Sequence, residues 1–490
     1  MPVRLTLLLW HASMGIFLNY MPITTGKARR SWQNVEHAMT SIDQTPNWQE
    51  MDARHHLAPF TDYAGIRKKG ARVITHADGH YITDIDGHKI LDAMAGLWCV
   101  NVGYGRQVLV EAASQQMAKL PYYNNFFKTT NQPISELSQR LVSLTPDGLN
   151  NVFYANSGSE ANDTIIRMVR HFWALQGQPE KRVIIGREYG YHGSTILSAS
   201  MGGMKAMHGQ AAQEPGFVHI KPPYGMLYQG NLSEDDFATK AASWLEEKII
   251  LMGAHNVAAF IAEPIQGAGG VIPPSKNYFD LIQPILKKYN IPFIADEVIC
   301  GFGRTGNLWG CETYNIQPDI IISSKCLTAG YFPMGAVIVN KDFADEFTSV
   351  SEDAEEFPHG FTAGGHPVGC AIALKAIDVI INEGLLENVR NVSPYFHERL
   401  QEFNEYDHIG ETRGIGLMAA LEMVKNKDTK EPFEGHLNMG DKVANMSIDN
   451  GLICRPLGPA IVLCPQFIID KKQIDEMFDS LHSTLKQAFN

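Results

Sequence analysis

Six short, strand-like runs recur at 152–154, 183–185, 257–262, 293–296, 320–323 and 336–339, with helical patterns between them. Runs this apolar are buried on both faces, and strands separated by helices pair in parallel through crossover connections. The segment therefore predicts an α/β fold with a largely parallel sheet covered by helices on both sides. The chain, at 490 residues, is longer than one typical core requires. Upstream, 71–74 and 81–84 flank Asp78-Gly79, with Asp86-Gly87 beyond, which reads as a small antiparallel meander. Helices are expected at 107–120 and, after Pro133, at 134–144. Downstream come helical stretches at 366–383 and 387–405, then strand-rich segments at 414–423 and 452–467. The expected organisation is an extension over 1–50, a large domain over 101–365, and a smaller α+β domain built from 51–100 and 366–490.

The formal net charge of −12 argues against nucleic-acid binding, which needs a basic surface. The seven cysteines are odd in number and scattered, without a Cys-x-x-Cys pair, which fits reduced thiols in a cytoplasm rather than disulfides or zinc. No metal site is expected. The apolar stretch 5–18 behind Arg4 is interrupted by His11 and Ser13 and is too short to span a membrane. A misassigned start is the expectation, with the physiological one nearer Met39 or Met51.

Two strand ends carry the chemistry. The run 319–322 delivers Lys325 into a small-residue turn closed by Gly330, and the run 291–296 ends on Asp296. A lysine and an aspartate at the ends of neighbouring strands are what pyridoxal 5'-phosphate requires: an amine for its aldehyde and a carboxylate for its pyridine nitrogen. By itself the pair also suits a solvated cap and an exposed turn, so the remaining motifs decide. Ser157-Gly158-Ser159 follows a strand and opens a helix, where free amides and the helix dipole suit a phosphate. Tyr191, after another strand, is placed to stack on a planar ring. Val298, two residues after Asp296, would share its side of a strand and press on the other ring face. The glycine-rich turn 301–306 lacks the strand-then-helix context of a dinucleotide fingerprint, which excludes dinucleotide binding.

Six motifs stand in order: Asn-Ser-Gly-Ser-Glu-Ala-Asn-Asp (156–163), Tyr-His-Gly (191–193), Ala-Glu-Pro (262–264), Asp-Glu-Val-Ile-Cys-Gly-Phe-Gly-Arg-Thr-Gly (296–306), Ser-Ser-Lys (323–325) and His-Gly-Phe-Thr-Ala-Gly-Gly-His-Pro (359–367). Together they resemble the class III pyridoxal-phosphate-dependent aminotransferases, of the ω-amino acid or amine:pyruvate subgroup, from about Trp48 to Phe489. The resemblance implies fold type I and transfer of an amino group from a primary amine to pyruvate. Lys325 would carry the cofactor and move the proton, Asp296 would pair with its ring nitrogen, and Ser157, Gly158 and Ser159 would hold its phosphate. Tyr191 and Val298 would sandwich the ring, with His192 and Glu263 among the cofactor's neighbours. Thr362 would bind the phosphate of a partner subunit, implying a homodimer or tetramer with shared sites. Trp98, Phe126 and Phe127 resemble the aromatic wall of the substrate pocket, and Arg455 resembles the mobile arginine that receives the acceptor's carboxylate. Many members have glutamine after Asp-Glu-Val; Ile299 here narrows the subgroup. Diamines such as putrescine, β-alanine, taurine and aryl-alkyl amines all fit as donors, and an aminomutase or decarboxylase on the same fold is the alternative reading.

Overall fold

A computed structural model describes residues 47–349 and 357–489. The expectations about the apolar stretch 5–18 and the start of the chain concern 1–46 and lie outside the described residues. Residues 47–73 form a unit of their own with two short helices. Asn47 caps Trp48–His55 by accepting from Glu50 N at 3.0 Å, and Asp62 caps Tyr63–Lys69 by accepting from Ala64 N at 3.0 Å.

From Ile74 onward, β1 (Ile74–Asp78), β2 (Tyr81–Asp84) and β3 (Lys89–Asp92) form an antiparallel meander. The first strand falls three residues later than the sequence pattern suggested, because Asp78 pairs with Tyr81 around a tight turn in which Gly79 takes φ 55°.

The large sheet contains β4 (Leu149–Ala155), β5 (Val183–Arg187), β6 (Phe217–Ile220), β7 (Val257–Ala262), β8 (Phe293–Asp296), β9 (Ile320–Ser323) and β10 (Gly335–Asn340), in the order β4-β10-β9-β8-β7-β5-β6. Six of its seven strands run in one direction, and β10 runs against them, antiparallel to both of its neighbours. The expected α/β fold with a mostly parallel sheet is what the chain adopts. Strand β6 was not anticipated; its four residues include His219, which interrupts the apolar run. Alternate residues of the central strands enter two separate cores. Phe260, Phe293, Ala295 and Ile321 pack on one face, and Ile261, Ile294, Ile320 and Ile322 on the other. The helix Gly158–Leu175 closes the second face with Ala161, Ile165, Ile166 and Val169.

Downstream, β11 (Ile409–Ile415), β12 (Met418–Met423), β14 (Arg455–Leu457) and β15 (Ala460–Leu463) make a third sheet, ordered β11-β12-β15-β14. The pattern at 414–423 is thus the hinge of a hairpin, turned at Gly416 with φ 57°, rather than one strand. Strand β13 (Leu452–Ile453) leaves this region to pair in parallel with β3. No helix among the described residues is long and apolar enough to cross a membrane.

Candidate active site

The parallel register of β8 and β9 sets Asp296 level with Ile322, three residues before Lys325, so the carboxylate and the amine emerge at the same end of the sheet. Lys325 opens a single 3-10 turn, Lys325–Thr328, with its backbone in the left-handed region at φ 34°. A non-glycine residue held there is strained, and such strain persists only where surrounding structure enforces it. The Lys325 side chain is buried, within electrostatic reach of Asp296, Cys99, Glu263 and Cys326. Burial lowers its pKa below the ordinary lysine value, opposed chiefly by the Asp296 charge. The net effect makes the neutral, nucleophilic amine more accessible.

Asp296 is 2% exposed and fully engaged. Its Oδ1 accepts from Val298 N at 3.1 Å; its Oδ2 accepts from Asn162 Nδ2 at 3.2 Å and pairs with His192 Nδ1 at 2.7 Å. His192 is therefore a donor to the carboxylate through Nδ1, and this bond holds the ring behind Asp296. Val298 departs from the expectation: β8 ends at Asp296, and the Asp296–Val298 bond turns the chain, so Val298 is not on the strand. It still faces the helix start, because a β-carbon on Gly158 would lie 3.2 Å from Val298 Cγ2 and 3.7 Å from Ser324 Cβ.

The helix Gly158–Leu175 begins with Ser157 as its cap, its hydroxyl accepting from Glu160 N at 3.2 Å, while Glu160 reaches back to Asn156 N at 2.7 Å. Ser159 Oγ accepts from Ser194 N at 3.0 Å, tying the helix to the loop after Tyr191. Both hydroxyls accept in these bonds, which leaves their own O–H groups, together with first-turn amides that an α-helix cannot itself satisfy, to donate to an anion. The half-buried Tyr191 shares a hydroxyl contact with Ser194 at 2.9 Å and donates its amide to Glu263 Oε1 at 3.2 Å. Glu263 Oε2 accepts from Gly267 N at 2.8 Å, and burial raises the carboxyl's pKa. Arg455, on β14, is half-buried near Tyr191, its pKa lowered by burial, with no ion pair or hydrogen bond to its guanidinium among the described residues.

The aromatic residues divide. Trp98 is 3% exposed and sunk against Gly267 and Ile299, so its ring is a packed wall, with Nε1 buried and unpartnered. Phe126 and Phe127 do not join it. Phe126 packs on Gly360, Phe127 is 82% exposed, and both line a groove of about 820 Å³ with Tyr154, Arg167, His359 and Phe361 that includes neither Lys325 nor Asp296. The reason is topological: segment 120–127 runs beside 360–364, where Tyr122 Oη donates to Thr362 O at 2.8 Å and Asn125 Nδ2 donates to Gly364 O at 3.2 Å. Thr362 is exposed on that same side.

Sequence reasoning missed Asn162, which donates from one amide to both Asp296 and His192 O (2.8 Å). The available signal was a polar residue on a helix face otherwise filled by Ala161, Ile165 and Ile166. It also missed Glu297, which is 1% exposed and accepts from Gly310 N at 2.9 Å and Cys311 N at 2.6 Å.

The Aminotransferase class-III family matches residues 64–485 of this sequence. The putrescine--pyruvate aminotransferase of Pseudomonas aeruginosa is 51% identical over 447 residues, spanning 91% of this chain and 97% of its own. The gamma aminobutyrate transaminase 3 of Solanum lycopersicum is 38% identical over 471 residues, spanning 96% and 91%. Among solved structures, the PMP-bound aminotransferase of Vibrio fluvialis superposes with a TM-score of 0.88 at 50% identity, covering 91% of this chain and 99% of that one. The omega-aminotransferase from Paracoccus denitrificans gives the same TM-score, 0.88, also at 50% identity, with 91% and 99% covered.

Proposed function

Because the chain belongs to the class III aminotransferases, which use pyridoxal 5'-phosphate, we propose that it moves an amino group from a primary amine to pyruvate, alternating between the two substrates in one pocket. The residues present fit the cofactor: an enclosed amine at Lys325, a fixed carboxylate at Asp296, helix-start amides at Gly158 and Ser159, and an aromatic face at Tyr191. Bound there, pyridoxal phosphate supplies an aldehyde that captures amines and a ring that accepts the electrons released at the substrate carbon.

The protein's own groups do the rest. Lys325 would carry the proton, and the burial that lowers its pKa favours the neutral amine able to accept one. Asp296, held in place by Val298 N, Asn162 Nδ2 and His192 Nδ1, would pair with the ring nitrogen. The observation that carries the choice of acceptor is Arg455, a half-buried guanidinium without a carboxylate of its own, whose planar fork matches that of pyruvate. The 51% identity to a putrescine--pyruvate aminotransferase supports a diamine as donor.

Several finer points belong to this reading. The working unit is a homodimer or a dimer of dimers, in which Phe126, Phe127 and Thr362 serve the site of the other copy; the exposure of Tyr122, Tyr123 and Phe127 on one segment supports it. Residues 101–365 form the large domain, and 51–100 with 366–490 the small one, a division supported by the pairing of β13 with β3. A reducing cytoplasm suits seven unpaired cysteines.

Arg455→Ala tests the reading. Truncating a bidentate partner in a desolvated pocket costs on the order of 2–5 kcal/mol, so efficiency with pyruvate is expected to fall roughly 30-fold or more. The half-reaction with a carboxylate-free amine is expected to change little. Both are followed by stopped-flow absorbance of the cofactor, and equal damage to both would assign Arg455 a structural role.

A further inference from the structure

Gly267 occupies a position where no side chain fits. A β-carbon built on it lies 2.3 Å from Trp98 Cζ3, 3.1 Å from Trp98 Cε3 and 2.5 Å from Ile299 Cδ1. Carbon atoms in contact stand about 3.5–4.0 Å apart, so at least one neighbour must move. Gly267 is not among the residues with positive φ, so a left-handed backbone is not what demands glycine there, whereas the neighbouring side chains do.

The neighbours differ in how they can yield. The terminal methyl of Ile299 rotates aside. The Trp98 indole is rigid, 3% exposed, and anchored through a backbone in the left-handed region at φ 62°. The Trp98 carbonyl accepts from the thiol of Cys326, the residue after Lys325, at 3.5 Å. The loop behind the indole is held as well: Gly267 N donates to Glu263 Oε2 at 2.8 Å, and the other oxygen of that carboxylate takes the Tyr191 amide. One buried carboxylate thus fixes both the loop that Trp98 rests on and the start of the Tyr191 turn.

We propose that Gly267 is a specificity-determining residue. By carrying no side chain it lets Trp98 seat fully against the loop 263–267, and this depth sets the room left beside Lys325 for the substituent on the donor's amine-bearing carbon. The assignment rests on the amine:pyruvate reading above and deepens it. A methyl at 267 pushes the indole off a loop whose backbone is held by Glu263. A slender, straight-chain donor tolerates the loss of depth, and a donor branched at the reacting carbon does not.

The test compares wild type, Gly267→Ala, Trp98→Phe and the double variant with a straight-chain diamine, a branched aryl-alkyl amine and pyruvate, each half-reaction measured separately on the holoenzyme. Gly267→Ala is expected to lower kcat/KM for the branched amine about tenfold more than for the diamine, the scale of a one-methylene discrimination. The pyruvate half-reaction is expected to stay within about twofold of wild type, because the acceptor is held by its carboxylate. In the Trp98→Phe background the same substitution is expected to leave the donor ratio unchanged, since the shorter ring does not reach the added methyl. Ile299→Ala, which gives the indole room to lean away, is expected to shift the ratio the opposite way and keeps the proposal testable if Gly267→Ala fails to fold. An unchanged donor ratio in Gly267→Ala, or an equal change with and without Trp98, would overturn the assignment. A wild type that converts none of these amines with pyruvate would overturn the functional reading instead.

Discussion

Asp296 and Glu297 are neighbours in sequence and opposites in use. Asp296 is fixed in orientation by three partners, Val298 N, Asn162 Nδ2 and His192 Nδ1. An asparagine there preserves the shape but removes the charge. Asp296→Asn is expected to bind cofactor yet slow the donor half-reaction by about a hundredfold or more, read by single-turnover absorbance. Glu297 points away into the core, where burial raises its carboxyl from 4.5 to about 7 despite the amides of Gly310 and Cys311, with Asp296 adding repulsion. A carboxyl whose pKa is higher in the folded state holds its proton more tightly there than in the unfolded chain. Stability therefore falls as pH rises from about 4.5 to about 7 and is level above that, a loss on the order of 3 kcal/mol. Glu297→Gln is expected to abolish this slope while costing stability at acidic pH, since an amide satisfies only one of the two backbone donors; denaturant unfolding across pH 4–8 checks it, and a retained slope would assign the titration elsewhere.

At the level of elements, the helix Gly158–Leu175 depends on a strand for its starting point. Gly335, the first residue of β10, pairs with Ala155, and a β-carbon there would sit 2.4 Å from Ser157 O and 2.8 Å from Ser157 C. These are backbone atoms of the helix cap, so no rotamer change relieves the clash. Gly335→Ala is expected to lower Tm by several degrees, for a loss of about 2 kcal/mol, and to weaken cofactor binding along with it. Thermal unfolding and cofactor titration measure both; weakened stability with unchanged cofactor affinity would separate the helix start from the phosphate site. The two strands that place Lys325 and Asp296 are parallel neighbours with every residue buried, so their ends cannot slip without moving whole rows of isoleucine out of both cores.

On the scale of the whole molecule, Phe127, at 82% exposure, is one of the large apolar side chains that a single copy of the chain leaves uncovered. In a two-fold assembly each site would combine Lys325 from one copy with Phe127 from the other. Lys325→Ala and Phe127→Asp are each expected to be inactive alone. Mixed as equal amounts and allowed to exchange subunits, they are expected to regain about a quarter of the wild-type sites, because half the dimers are mixed and each holds one intact site. No recovery, with exchange verified by mass, would place both residues in the site of a single copy.

What the sequence alone determined was local or periodic. Buried strands were legible because a parallel sheet covered on both faces leaves no polar alternation, and the chemistry was legible because Lys325, Asp296 and the Ser157–Ser159 turn sit at strand ends or helix starts, where a few consecutive residues define the geometry. Tertiary structure alone decided the partners. That Asn162 braces Asp296 across 134 positions, that Trp98 is seated by Gly267, and that Phe126 and Phe127 lie apart from the lysine are consequences of which elements the sheet order sets side by side. Hydrogen bonds and steric contacts at such separations leave no periodicity in the chain. They arise only when the crossover connections bring distant segments within a few ångströms of each other.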